Sequence, residues 1–129
     1  MILAADTSTL SAYILNEPGE DVDALDRVFA TGGVALPPVV LTEVLCAKYL
    51  TPAFVDNFRD IPLLEILDGY WERAGKNRAK LHKHGLKAGL ADSLIAQACI
   101  DHDVPLITRD RDFRHFSKHC ALKLAVKPR

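Results

Sequence analysis

Residues 90–112 decide how this chain folds: Leu90-Ala91-Asp92-Ser93-Leu94-Ile95-Ala96-Gln97-Ala98-Cys99-Ile100-Asp101-His102, then Asp103-Val104-Pro105-Leu106-Ile107-Thr108, then Arg109-Asp110-Arg111-Asp112. Ala91, Leu94, Ile95, Ala98 and His102 recur at helical spacing, which predicts a helix over 90–102 with one face on a core. The run 104–108 is short, apolar and β-branched at its end, the signature of a buried strand. Acids stand at both junctions. Asp92 falls in the first helical turn, where the positive end of the helix dipole favours an anion, and Asp110 comes directly after the strand.

Working outward, the same alternation repeats. Residues 2–5 read as a short buried strand ending at Asp6, and residues 9–15 as a helix. Residues 34–40 form a second apolar run, entered from Gly32-Gly33 and interrupted by Pro37-Pro38, which puts it at a sheet edge or bends it. Thr42 is placed to cap a helix carrying Glu43, Cys46, Ala47 and Leu50 at helical spacing. Thr51-Pro52 opens another helix to about Arg59, and 63–67 is a weaker strand. An amphipathic, basic helix is expected over 70–83, a short helix over 112–119 and a last strand over 121–126. Strands alternating with helices predict an α/β sandwich around a largely parallel sheet. The chain's 129 residues show no repeat or linker and suit a single domain, 1–129.

Composition narrows the class. Hydrophobic residues make up 49% and charged residues 26%, too apolar for disorder. The start lacks a basic segment and meets Asp6 after only five apolar residues, unlike a secretory signal, and no apolar run is long enough to span a bilayer. A cytoplasmic protein with no membrane partner is expected. Cys46, Cys99 and Cys120 are odd in number and lack metal or disulfide spacing, so Cys46 and Cys99 are read as small core residues. The net charge of -1 hides an uneven distribution. Residues 71–90 carry Arg73, Lys76, Arg78, Lys80, Lys83 and Lys87 against Glu72 alone. Residues 105–129 carry seven basic residues against Asp110 and Asp112, whereas Glu17, Glu20, Asp21, Asp23 and Asp26 make the early segment acidic. Each run alone is equally a solvated helix face, but two basic segments beside an acidic group favour a polyanion partner.

The acids carry the chemistry. Asp6, Glu43 and Asp110 each follow an apolar run, and the carboxyl ends of parallel strands border the ligand crevice of open α/β sheets. Any one alone is more simply a turn former or cap. Converging to roughly 4 to 5 Å, each close pair would repel by about 3 to 4 kcal/mol at an effective dielectric near 20. A divalent cation removes that conflict. All-oxygen ligation suits Mg²⁺, with Mn²⁺ as a substitute, better than zinc unless His115 contributes. Such ions activate water, clamp a phosphate and stabilise an in-line displacement, so phosphodiester hydrolysis is the natural reaction.

Four blocks in order, Ala4-Ala5-Asp6-Thr7-Ser8, Leu41-Thr42-Glu43-Val44, Leu90-Ala91-Asp92-Ser93-Leu94-Ile95-Ala96 and Leu106-Ile107-Thr108-Arg109-Asp110-Arg111-Asp112-Phe113, resemble the PIN-domain nucleases, specifically VapC-type toxins. The resemblance spans nearly the whole chain. It implies a three-layer α/β/α sandwich with a central parallel sheet and an Mg²⁺-dependent endoribonuclease acting on RNA. It also implies homodimerisation and a cognate antitoxin protein as partner. By the same resemblance Asp6, Glu43 and Asp92 look like the metal-binding triad and Asp110 the fourth acid, with Asp112 close behind; Asp112 fits a helix cap equally well. Ser8 and Thr108 are expected to support the ligands through hydroxyl contacts, and Arg109, Arg111 and Arg114 to hold RNA phosphates or an antitoxin carboxylate.

Competing readings leave distinct marks. His82 and His84 suggest metal-free cleavage through the 2'-hydroxyl, but residues two apart on a helix do not share a face. His102 reads as a helix-end residue near the negative end of the dipole. An aspartate-based phosphoryl-transfer domain would want a second carboxylate beside Asp6, where Thr7-Ser8 stand. A non-catalytic RNA- or protein-binding relative would not need intact acids. Tyr70 and Trp71 can stack on a base, although packing beneath the helix suits aromatic area better.

Overall fold

β1 (Leu3–Ala5) lies at the centre of the sheet, and its continuous apolar run is what a strand covered on both faces requires. The computed structural model describes residues 1–127. β1 pairs in parallel with β2 (Val34–Ala35) on one side and β3 (Leu106–Ile107) on the other. Single parallel bridges extend each edge, Leu36 to Leu63 and Leu106 to Leu124. Around the sheet stand α1 (Thr7–Ile14), α2 (Glu20–Phe29), α3 (Pro38–Leu45), α4 (Pro52–Arg59), α5 (Tyr70–Lys83), α6 (Leu90–His102) and α7 (Phe113–Cys120). The result is a three-layer α/β/α sandwich. Its core joins Leu3, Ala4, Leu106 and Ile107 of the strands to Leu10, Leu25, Val40, Ile95, Phe113 and Phe116 of the helices.

The expected elements over 52–59, 70–83 and 90–102 form as read, and Thr51 caps α4 by accepting from the Phe54 N–H at 3.5 Å. Other expectations shift. The second apolar run is strand for two residues only, because Pro37 and Pro38 end it and start α3 four residues before Thr42, which is therefore no cap. The weak strand over 63–67 and the last strand over 121–126 shrink to the single bridges. α2 was not foreseen, since its acids masked an apolar face at Ala24, Leu25 and Val28. Cys99 is buried, but Cys46 is exposed at the end of α3. Tyr70 packs inside and donates to the Leu94 carbonyl at 2.6 Å, whereas Trp71, expected beneath the helix, is 61% exposed.

Candidate active site

Because the strands are parallel, the residues that come after β1 and β3 leave the sheet at the same edge. Asp6 and Thr108 are those residues, and the Thr108 hydroxyl donates to Asp6 Oδ2 at 2.7 Å. Ser8, in the first turn of α1, donates to the same oxygen at 2.8 Å. The two hydroxyls also hold the loop after β3: Ser8 Oγ accepts from the Arg109 N–H at 3.2 Å, and Thr108 Oγ1 from the Asp110 N–H at 3.0 Å. Asp110 Oδ1 in turn accepts from the Asp112 N–H at 2.9 Å. A chain of short polar contacts thus fixes the loop that carries two acids relative to Asp6. Burial raises the Asp6 carboxyl above its ordinary value, against the lowering contacts from Thr108, Ser8 and the Thr7 backbone; the charge of Glu43 adds to the rise.

Asp92 is brought to this edge by α6, whose first turn it occupies after Gly89. Carboxylate oxygens of Asp92, Asp110 and Asp112 lie within 4.8 Å of one another. Partial burial, followed by the charges of Asp110, Asp6, Asp112 and Glu43, pushes the Asp92 carboxyl up to about 6. Acids from separate elements of the sequence therefore act on one carboxyl. Glu43 stands on α3 and accepts from the Thr7 hydroxyl at 2.7 Å; like Asp6, it lies outside the trio and adds its charge to those that raise Asp92.

The position of Asp112 bears on its two readings. It is the residue before α7 but makes no capping hydrogen bond, and its carboxylate reaches Asp110, Asp92 and, at 3.3 Å, the Lys87 ammonium. Asp110 and Asp112 thus both face Asp92. A donor set made wholly of carboxylate oxygens fits a hard divalent cation, and His115 is not in the group among the described residues.

The arginines part company. Arg109 turns away from the acids and grips Asp21 of α2 through Nε and Nη2, both at 2.9 Å, with Glu17 at 3.1 Å. Burial alone would raise the Asp21 carboxyl, but the hydrogen bonds of Arg109 and Thr9 hold it below its ordinary range. Arg111 and Arg114 are exposed, and Arg114 Nε donates to the Arg111 carbonyl. Of the histidines, His84 stacks on His119 with ring centroids 4.4 Å apart, and His102 ends α6 against the Glu65 carbonyl. Sequence reasoning counted Asp21 and Lys87 only as members of charged runs and gave Thr7 no role, because their contacts span 88, 25 and 36 positions that no local spacing announces.

Residues 3–119 match the PIN domain family, and the chain belongs to it. No curated protein matches significantly in sequence. Among solved structures, the chain is similar in fold to VapBC2 of Rickettsia felis bound to a promoter DNA fragment, with a TM-score of 0.74, 22% identity and coverage of 96% of this chain and 97% of that one. DNA-bound VapBC of Salmonella typhimurium gives 0.71 and 21%, covering 96% and 97%. VapBC-5 of Mycobacterium tuberculosis, a member of a toxin-antitoxin family, gives 0.66 and 23%, covering 99% and 98%. No helix among the described residues is long and apolar enough to cross a membrane.

Proposed function

We propose that this PIN domain is a metal-dependent endoribonuclease, the toxin of a toxin-antitoxin pair. The observation that carries the reading is the convergence of Asp92, Asp110 and Asp112, with Asp6 and Glu43 raising the charge around them. Ionised acids gathered at one sheet edge oppose folding, and a divalent cation held among them offsets that repulsion. Asp92, Asp110 and Asp112 would hold a divalent ion, Mg²⁺ or Mn²⁺, with Asp6 and Glu43 completing the negative wall. When bound, such an ion supplies charge to a phosphate in displacement and makes a neutral-pH nucleophile of water.

The chain's own residues prepare that chemistry. Ser8 and Thr108 fix the Asp6 carboxylate and keep its bound oxygen from rotating. The Asp110–Asp112 turn presents both side chains to Asp92. Exposed Arg111 and Arg114 beside the acids supply positive charge for RNA phosphates, whereas Arg109 serves the frame through Asp21. By likeness to the VapBC assemblies, the partner is an antitoxin protein, and the family resemblance of the sequence adds a homodimer of this single domain as the working unit.

The test is cleavage of single-stranded RNA by the purified chain with Mg²⁺ or Mn²⁺. Activity should vanish with chelator and in Asp92→Asn, and the products should carry 5'-phosphates, since activated water needs no 2'-hydroxyl. Cyclic phosphate ends, or cutting that persists in chelator, would reject the metal reading. RNA bound but left intact would make the chain a binding module.

A further inference from the structure

Lys87 is the basic side chain that touches the acidic trio among the described residues, its Nζ lying 3.3 Å from Asp112 Oδ2. The contact is not a chance of a long, wandering loop. Lys87 sits in the short connection between α5 and α6, and both of its neighbours are tied down. The Leu86 N–H donates to the Leu81 carbonyl at 3.0 Å, closing the end of α5 at Gly85. Ala88 is buried at 4% exposure, and its carbonyl accepts from Arg78 Nε at 2.9 Å. The backbone of Lys87 is thus held at the lip of the site, while its side chain is 79% exposed and free to change partner.

An ammonium here and a divalent cation in the trio compete for the same negative field. Lys87 relieves part of the repulsion among Asp92, Asp110 and Asp112 when no metal is bound. With a doubly charged ion held by the trio, Lys87, 79% exposed, would turn outward into solvent and leave its ammonium available to a phosphodiester. We propose that Lys87 is an exchangeable counter-ion: it neutralises Asp112 in the metal-free protein and, displaced by the metal, binds the phosphate backbone of the RNA. Metal loading and substrate affinity are then coupled through one side chain. This rests on the nuclease reading, but its first arm does not need activity.

The test compares Lys87→Met and Lys87→Arg with the parent chain. In the first arm, Mn²⁺ binding is titrated by calorimetry in the absence of RNA. Lys87→Met should bind Mn²⁺ more tightly, by about three- to fivefold as suits an exposed contact, and Lys87→Arg should match the parent. In the second arm, RNA cleavage is followed at saturating Mn²⁺. Lys87→Met should raise KM about three- to fivefold with kcat within about twofold, and a rise in salt should shrink the difference. Unchanged or weaker Mn²⁺ binding in Lys87→Met, or an unchanged KM, would overturn the exchange. Failure of the parent chain to cleave RNA at all would instead strike the nuclease reading, leaving the metal arm to decide the competition.

Discussion

Thr108 donates its hydroxyl to Asp6 Oδ2 at 2.7 Å across 102 positions of sequence. The bond ties together the outgoing ends of two adjacent parallel strands, and the same Thr108 oxygen receives the Asp110 N–H. One hydroxyl therefore positions acids from both ends of the chain. The acids stand together at the expense of mutual repulsion, and that tension yields specific expectations.

Thr108→Val keeps the shape of the side chain and deletes the hydroxyl, leaving the buried Asp6 carboxylate and the Asp110 N–H each short of a partner. Chemical denaturation should show a loss of about 1 to 3 kcal/mol with unchanged m-value, together with weaker Mn²⁺ binding. Thr108→Ser should restore most of both. An unaltered midpoint in the valine variant would mean the bond does not hold the site together.

Asp92→Asn removes the charge on which the other acids bear. In metal-free buffer at pH 8 the variant should be more stable than the parent by about 1 to 2 kcal/mol after solvent screening, while RNA cleavage is lost. Relief of repulsion is expected here rather than at Asp6, because Asp6 is committed to Ser8 and Thr108 and lies outside the tightest trio. Lower stability of the metal-free Asn variant would contradict the crowding.

A pH dependence arises from the same carboxyl. Its value is raised from 3.8 to about 6 on folding, so its contribution to stability is fully present below pH 3.8 and is lost as pH rises through about 6. The stability gap between Asp92→Asn and the metal-free parent should open over that window and close when Mn²⁺ is added. Mn²⁺ affinity of the parent should climb through the same range, since bound protons must leave. A gap independent of pH between about 4 and 8 would show that Asp92 is not perturbed.

Arg109→Gln leaves Asp21 inside the structure without its bidentate partner. The expected loss is about 1 to 3 kcal/mol at neutral pH. Because the Asp21 carboxyl is held low in the parent, that loss should fade as pH falls below 3.8, where the group is protonated when unfolded. At a temperature where both proteins are folded, KM for RNA should stay unchanged, which separates a framing role from phosphate binding.

The acids were legible because strand ends are legible. Ile2 to Ala5 and Val104 to Thr108 are short, largely apolar runs that read as buried strands, although the second is strand only at Leu106 and Ile107, and the residues just past such runs in a parallel sheet share one edge. Asp92 was readable from the apolar spacing of its helix. Boundaries failed where two signals overlapped: Pro37-Pro38 inside an apolar run starts a helix as readily as it bends a strand. α2 failed because five early acids hid its apolar face, and with it went Asp21, the partner that draws Arg109 away from the site. The edge strands at Leu63 and Leu124 were overdrawn, since one bridge orders one residue pair, not a run.

The nuclease reading requires Asp92, Asp110 and Asp112 to share one divalent cation beside Asp6. Crystals soaked in Mn²⁺ and measured at its absorption edge would reveal such an ion. An anomalous peak is expected within direct ligand distance of carboxylate oxygens from Asp92 and at least one of Asp110 and Asp112, with Asp6 facing it. Ordered carboxylates with no peak among them at saturating Mn²⁺, or a peak held by other residues, would contradict it.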